Sequence, residues 1–399
     1  MPGPPPRGFD ADEYRDRTAR AQTLMAEFGV DVMLLTTEPE IRYFTGFLTP
    51  FWQSPTRPFF LVLPASGDPI AVVPSIAETT MAATWLTDVR SWPSPRPTDE
   101  GLSTLLDALV EVGGARATLG LAMGPETHLR MPIGDFYRLI EALPDRWRTA
   151  EAGFILCWLR LIKSPAEVAK IAHVCDMVSA VFADLPEFLH AGVVEREAFR
   201  RFKIACLQAG VDDIPYLVGG AGPGGLSDII SPPSDRPLST GDLFMLDTGC
   251  TFDGYWCDFD RTYAIGPPDD AARRAYARLY AATDAGLAAA LPGASCAELY
   301  HAMAAELGID ADNLVGRLGH GLGMQLTEWP SIRPDDTTEL FPGMVLTLEP
   351  SIEVAPGRVP GRVPGRAPCS VMVQEENVLI TDGAPRLLTR RAPAQLPVL

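Results

Sequence analysis

The chain has 399 residues, 47% hydrophobic and 21% charged, and its 51 acidic and 33 basic side chains leave a net charge of −18. That apolar content excludes disorder as the main state, and the length allows two ordinary domains around a large buried core. The acidic balance argues against nucleic acid and anionic membrane surfaces, whose phosphates it cannot neutralise.

No stretch approaches the ~18 apolar residues of a membrane span. The opening MPGPPPRGFDADEYRDR carries no apolar signal segment, which argues against secretion. Seven cysteines without a Cys-x-x-Cys read as reduced thiols, so a cytoplasmic protein is expected.

Helix and strand patterns alternate through residues 1–155. Asp10 to Glu13 reads as a capping box opening a helix that stops at Gly29. DVMLLTT (31–37), PFFLVLP (58–64) and PIAVVP (69–74) predict strands, the last two divided by Ser66, Gly67 and Asp68. Helical patterns cover 102–112 and 126–143, with the strand ATLGLAM between them. This is an α/β domain.

Residues 156–399 form the second domain. LRLIKSPAEVAKIAHVCDMVSAVFADL predicts a helix with Ser164 as its cap and Pro165 in its first turn. A second helix covers VEREAFRRFKIACLQAG. Strands follow in LFMLDTGCTFDGYWCDFDRTYAIG, then helices over 271–291 and 296–307, then the strands MVLTLEP and SVMVQEENVLIT. Strands and helices are segregated here, so the fold class is α+β. The glycine run VGGAGPGGLSD lacks the Lys-Ser/Thr of a phosphate-cradling loop and reads as backbone at a substrate site. The repeat PGRVPGRVPGRAP (356–368) reads as a surface loop. Of its two readings, an expanded loop without a role is favoured over an arginine-bearing flap.

Asp247 and Asp258 fall on successive strands joined by Asp253-Gly254, a hairpin turn pair. With that turn, residue 249 faces 258 and 247 faces 260, so Asp247, Asp258 and Asp260 project from one face. Three carboxylates there repel unless a cation lies between them. A solvated polar face is the other reading. The apolar and aromatic flanks FMLD and YWCDF indicate buried strands instead, where unpaired carboxylates are costly. Asp260 reads as a supporting residue that pairs with Arg261, rather than as a sixth ligand. Further candidate ligands are His320 between glycines in GRLGHGLGMQ, Glu349 closing MVLTLEP, and Glu375 closing SVMVQEE. Four carboxylates and one imidazole suit Mn, Zn, Fe or Co and can hold two ions.

These segments resemble the creatinase / aminopeptidase P / prolidase superfamily, the pita-bread metalloenzymes. LRLIKSPAEV is similar to the start of its catalytic domain. LDTG, CDFDRT eleven residues on, GHGLG, LEP and EENVLIT match its five ligand motifs in order, and IRYFTGF (41–47) is similar to the N-terminal domain of its two-domain branch. The resemblance implies a creatinase-like N-terminal domain before a pita-bread catalytic domain. It implies two divalent metal ions held by Asp247, Asp258, His320, Glu349 and Glu375, with Asp258 and Glu375 bridging. His320 and Glu349 would also serve catalysis, Glu349 by moving the water's proton. Tyr255 and Trp256, just before Asp258, read as core or pocket wall, and Thr327, Glu328 and Trp329 as candidates to line the substrate pocket. A homodimer is implied, in which Phe51, Trp52 and Arg57 reach a neighbouring subunit's site; ordinary packing is the other reading of that segment.

The chain departs from the peptidase pattern twice. Ile230 stands seventeen residues before Asp247, and Thr327 seven after His320, where peptidases keep histidines. Neither residue replaces an imidazolium as a donor. The implied activity is metal-dependent hydrolysis of a C–N amide bond, as in Xaa-Pro dipeptidases or aminopeptidases. The alternatives are a non-peptidase branch acting on a compatible solute (an ectoine-type amide hydrolase or a dimethylsulfoniopropionate lyase) and an inactive binding module.

Overall fold

The computed structural model describes residues 3–54, 57–226, 228–309, 316–354 and 370–399; the Pro-Gly-Arg repeat lies outside the described residues. The chain divides into two compact units, Pro6–Arg160 and Leu161–Leu399 with the first five residues.

The N-terminal unit is built on strands β1 (Val32–Leu35), β2 (Phe60–Pro64), β3 (Ile70–Pro74), β4 (Asp88–Trp92), β5 (Thr118–Leu121) and β6 (Arg148–Glu151). Their order is β4-β3-β2-β1-β5-β6. β2 runs antiparallel to both its neighbours, and the remaining pairs are parallel. The helices are α1 (Ala11–Phe28), α2 (Glu38–Thr45), α3 (Glu78–Ala82), α4 (Leu102–Gly113), α5 (Ile133–Ala142) and α6 (Gly153–Leu161). Leu105, Ala108 and Leu109 of α4 share a core with Val32, Leu34, Phe60 and Val62 of the sheet.

Two local expectations change. The Asp10 side chain makes no cap bond to α1. Glu13 turns instead to Arg17, 3.0 Å away, whose guanidinium lies over the Phe9 and Tyr43 rings. The helix expected from 126 begins only at Ile133, because Glu126 takes a positive φ and Pro132 is the N-cap.

The C-terminal unit begins with α7 (Pro165–Asp184) and α8 (Glu195–Ala209). Ser164 caps α7 reciprocally with Glu167: Ser164 Oγ accepts from Glu167 N, and Glu167 Oε2 from Ser164 N. Strands β7 (Asp213–Pro223), β8 (Asp242–Phe252) and β9 (Tyr255–Ala264) form an antiparallel sheet. The glycine run at 218–228 thus begins as part of β7, with Val218 opposite Asp247. Helix α7 packs on β8 and β9. After α9 (Asp270–Ala289) and α10 (Cys296–Leu307) come β10 (His320–Gly321), β11 (Glu328–Ser331), β12 (Val345–Leu348), β13 (Ser351–Val354), β14 (Ser370–Val373), β15 (Glu376–Leu379) and β16 (Arg386–Leu387). A five-stranded sheet has the order β11-β10-β12-β15-β16, and β13 pairs with β14 alone. Leu279, Tyr300 and Met303 of the helices share a core with Leu346, Leu348 and Val378 of that sheet.

SVMVQEENVLIT, expected as one strand, is two. β14 pairs with β13, β15 with β12, and Gln374 and Glu375 form the break between them. No helix among the described residues is long and apolar enough to cross a membrane.

Candidate metal centre

The β8–β9 hairpin turns at Asp253 and Gly254, both with positive φ (48° and 77°). Asp253 is held by an ion pair with Lys170 of α7, and its amide donates to Asp212 Oδ2 (2.7 Å). The resulting register sets Asp247 opposite Asp260 and Gly249 opposite Asp258. The three aspartates therefore share one face. The other face, with Phe259 and Arg261, packs on Phe182 of α7.

Glu349 and Glu375 arrive by a second route. The pairs Leu348–Glu376 and Ser351–Val373 flank them in one register, which sets Glu349 opposite Glu375 in the gap between two ladders. Alternation separates the adjacent glutamates. Glu376 turns away from Glu375 and takes Arg261, Arg391 and the Thr389 hydroxyl.

His320 stands between Gly319 and Gly321. A Cβ on Gly319 would lie 2.2 Å from Thr347 O, and one on Gly321 2.5 Å from Trp329 O, so only glycine lets β10 pass so close to its neighbours. His320 Nδ1 lies 2.8 Å from Gly321 O. A carbonyl only accepts, so Nδ1 carries the proton and Nε2 is the nitrogen directed at Asp258.

Asp258, His320 and Glu375 bring one ligand atom each within 4.8 Å of one another, all three side chains buried. Asp247 and Glu349 add their charges to this group. Burial foremost, and then neighbouring carboxylates, hold the Asp247, Asp258 and Glu375 carboxyls well above the usual range. Burial also raises Glu349, opposed by the charges of His320 and Arg317. Asp247 Oδ1 and Glu375 Oε1 are buried without a hydrogen-bond partner. Unsatisfied anionic oxygens beside one imidazole nitrogen fit a divalent cation, which removes both the repulsion and the missing bonds.

Ile230 is 67% exposed on the chain after β7. Tyr255, read as core or pocket wall, is 1% exposed and its hydroxyl donates to Glu167 Oε1 (2.9 Å). Glu328 is 8% exposed. Its carboxylate accepts from Met324 N (2.8 Å), Gln325 N (3.1 Å) and buried Lys163 (3.2 Å), closing the loop after His320. Trp256 donates from Nε1 to Met324 O in the same loop, and Trp329, half-buried, packs against the core of the helices. Asp260 does not pair with Arg261, which lies on the opposite face and binds Glu376 and three carbonyls. In the N-terminal unit, buried Trp52 packs on Phe47 and Phe59 under the Arg130 guanidinium, and Arg57 lies over Phe51.

Three residues escaped the sequence reading. Tyr216 of β7 stands beside Asp247: burial, and then the Asp247 charge, push its hydroxyl up; nothing in IPYLVGG marks it. Asn377 clamps the Asp258 backbone, accepting from its amide and donating to its carbonyl. Its position in EENVLIT was the available signal. Arg317, three residues before His320, reaches Thr327 Oγ1 (3.4 Å) and lowers the Asp258 and Glu349 carboxyls by its charge.

A buried carboxylate–imidazole centre on a two-domain α+β scaffold is the framework of a metalloenzyme. Residues 169–382 match the model of metallopeptidase family M24, and residues 17–162 that of the creatinase/prolidase N-terminal domain. The chain belongs to metallopeptidase family M24, within the creatinase / aminopeptidase P / prolidase superfamily, and that family implies a divalent metal cofactor. It is 30% identical over 357 residues to the probable dipeptidase PepE of Mycobacterium tuberculosis, covering 88% of this chain and 91% of that one. It is 27% identical over 369 residues to the Xaa-Pro dipeptidase of Lactobacillus delbrueckii, covering 91% and 94%. The crystal structure of dipeptidase PepE from Mycobacterium ulcerans superposes with a TM-score of 0.80 at 28% identity, over 98% of this chain and 99% of that one.

Proposed function

We propose that this protein is a dinuclear metal-dependent dipeptidase. Asp247, Asp258, His320, Glu349 and Glu375 would hold two divalent ions of the Mn, Zn, Fe or Co type. The observation that carries this reading is the set of buried carboxylate oxygens without partners beside His320. The dipeptidase names of the relatives support the substrate class.

A divalent metal held there would supply an acidified water and Lewis-acid polarisation of the scissile carbonyl. Glu349 takes the attacking water's proton and passes it to the leaving nitrogen as the C–N bond breaks. Arg317, half-buried and hydrogen-bonded to Thr327, offers a permanent cation beside the acidic centre. A dipeptide carries a free carboxylate next to its leaving nitrogen, the anion this guanidinium suits. Asn377 holds the Asp258 backbone in place from both sides. We also place the protein in the cytoplasm as a homodimer, following its reduced thiols and the superfamily resemblance.

One observation favours a second reading, a non-peptide amide or solute as substrate. His320 is the single imidazole in the centre. In the same unit His173 packs on Phe252, His301 on Tyr300, and His190 bonds Ala191 O. The deciding experiment couples elemental analysis to turnover of Xaa-Pro and other dipeptides, proline tripeptides, ectoine and dimethylsulfoniopropionate. Dipeptide cleavage with metal present supports the proposal. Turnover of a solute alone moves the protein to the second reading. A metal-free protein inert to the whole panel is the binding module.

A further inference from the structure

Asp260 is the most unusual carboxylate in the molecule. It is 1% exposed, and neither of its oxygens has a hydrogen-bond partner among the described residues. An ionised carboxylate in that state is destabilising by several kcal/mol. The nearest cation along the chain cannot relieve it: Arg261 points from the other face of β9 and is engaged by Glu376 and by the carbonyls of Asp260, Glu375 and Arg390. Strand register directs Asp260 elsewhere. It faces Asp247 across the hairpin and shares its face with Asp258, two residues before it. Its two orphaned oxygens thus lie on the same face as the orphaned Asp247 Oδ1, next to the centre that holds the orphaned Glu375 Oε1. One condition satisfies all four atoms, and a proton on Asp260 satisfies at most two.

We infer that Asp260 is a sixth protein ligand of the metal centre, on its Asp247 side. The inference rests on the metal-centre reading above and extends it. With Asp247, Asp258, Glu349 and Glu375 it makes five carboxylates and one imidazole. Such an oxygen-rich set of higher coordination number favours Mn over Zn, which settles for four ligands and accepts nitrogen and sulfur readily. The centre also keeps a net negative charge after two divalent ions bind, five carboxylates against four positive charges.

The test compares the purified wild-type protein with Asp260→Asn, an isosteric change that removes the charge, and with Asp260→Ala. Each is stripped with chelator, then titrated with Mn alone and Zn alone by calorimetry, and its metal content is measured after dialysis. The wild type should take up two Mn per chain. Both variants should hold one tightly and bind the second about 10–100-fold more weakly, with the preference for Mn over Zn reduced. Thermal melts supply a readout independent of turnover. Metal-free Asp260→Asn should melt at or above the metal-free wild type, because an uncompensated buried charge is gone, and it should gain less from Mn. Variants that bind two Mn with wild-type affinity overturn the inference and leave the metal centre standing. A wild type that binds no divalent cation overturns both. If one variant fails to fold, the other decides the binding, and a wild type that takes only one Mn overturns the sixth ligand as well.

Discussion

His320 Nε2 lies 3.4 Å from Asp258 Oδ2 although the two residues belong to different sheets, β10 and β9. Glu375, from the break between β14 and β15, closes the triangle. Asp258→Ala or Glu375→Ala should therefore abolish activity and lower metal occupancy while circular dichroism stays native. Elemental analysis showing full occupancy in both variants would sink the site.

Metal removal should make stability depend on pH. Without a cation, burial and mutual repulsion hold the Asp247, Asp258 and Glu375 carboxyls well above their unfolded values. The folded state then binds more protons than the unfolded one, so stability is greatest at or below the ordinary carboxylate range and declines as pH rises through the raised values. The melting temperature of chelator-treated protein should fall from pH 5 toward pH 8, and added Mn should restore more at pH 8. A metal-free melting curve that is flat across that range contradicts the arrangement.

Arg317→Gln should raise KM for dipeptides by about 10–100-fold, the worth of a charge-assisted hydrogen bond, with a smaller effect on kcat. C-terminally amidated dipeptides, which lack the carboxylate, should show little difference between wild type and variant. An equal penalty on both substrates would remove Arg317 from carboxylate recognition.

The positions of Ile230 and Thr327 bear on Xaa-Pro cleavage. Loss of one donor aimed at developing charge typically lowers turnover ~10²–10³-fold. Activity on Xaa-Pro dipeptides should be weak in the wild type and should rise in the Ile230→His, Thr327→His double variant. An ordinary wild-type kcat/KM of roughly 10⁴ M⁻¹s⁻¹ or more on those dipeptides would count against this account.

Tyr255→Phe removes the hydroxyl bond to Glu167 in the core. It should cost about 1 kcal/mol of stability and leave KM unchanged. A changed KM with unchanged stability would return Tyr255 to the substrate pocket.

The sequence by itself determined much of this protein. The turn pair Asp253-Gly254 and two-residue alternation were enough to place Asp247, Asp258 and Asp260 on one face, because a tight hairpin leaves a single register. Ser164 and Pro165 marked the start of α7, since capping is a local hydrogen-bond problem. The order of motifs identified the family.

Other features came only with the tertiary structure. Periodicity alone could not show that SVMVQEENVLIT breaks at Glu375, because a continuous apolar run reads the same whether one sheet or two receive it. Nor could it assign Tyr255 and Glu328 the buried partners that give them their roles in the packing. Aromatic and acidic side chains acquire those roles from partners far along the chain, Glu167 for one and Lys163 for the other. Asp260 shows the limit most clearly. Its neighbour Arg261 suggested an ion pair, but adjacent strand residues point to opposite faces, and only the packed sheet left its carboxylate buried and unanswered.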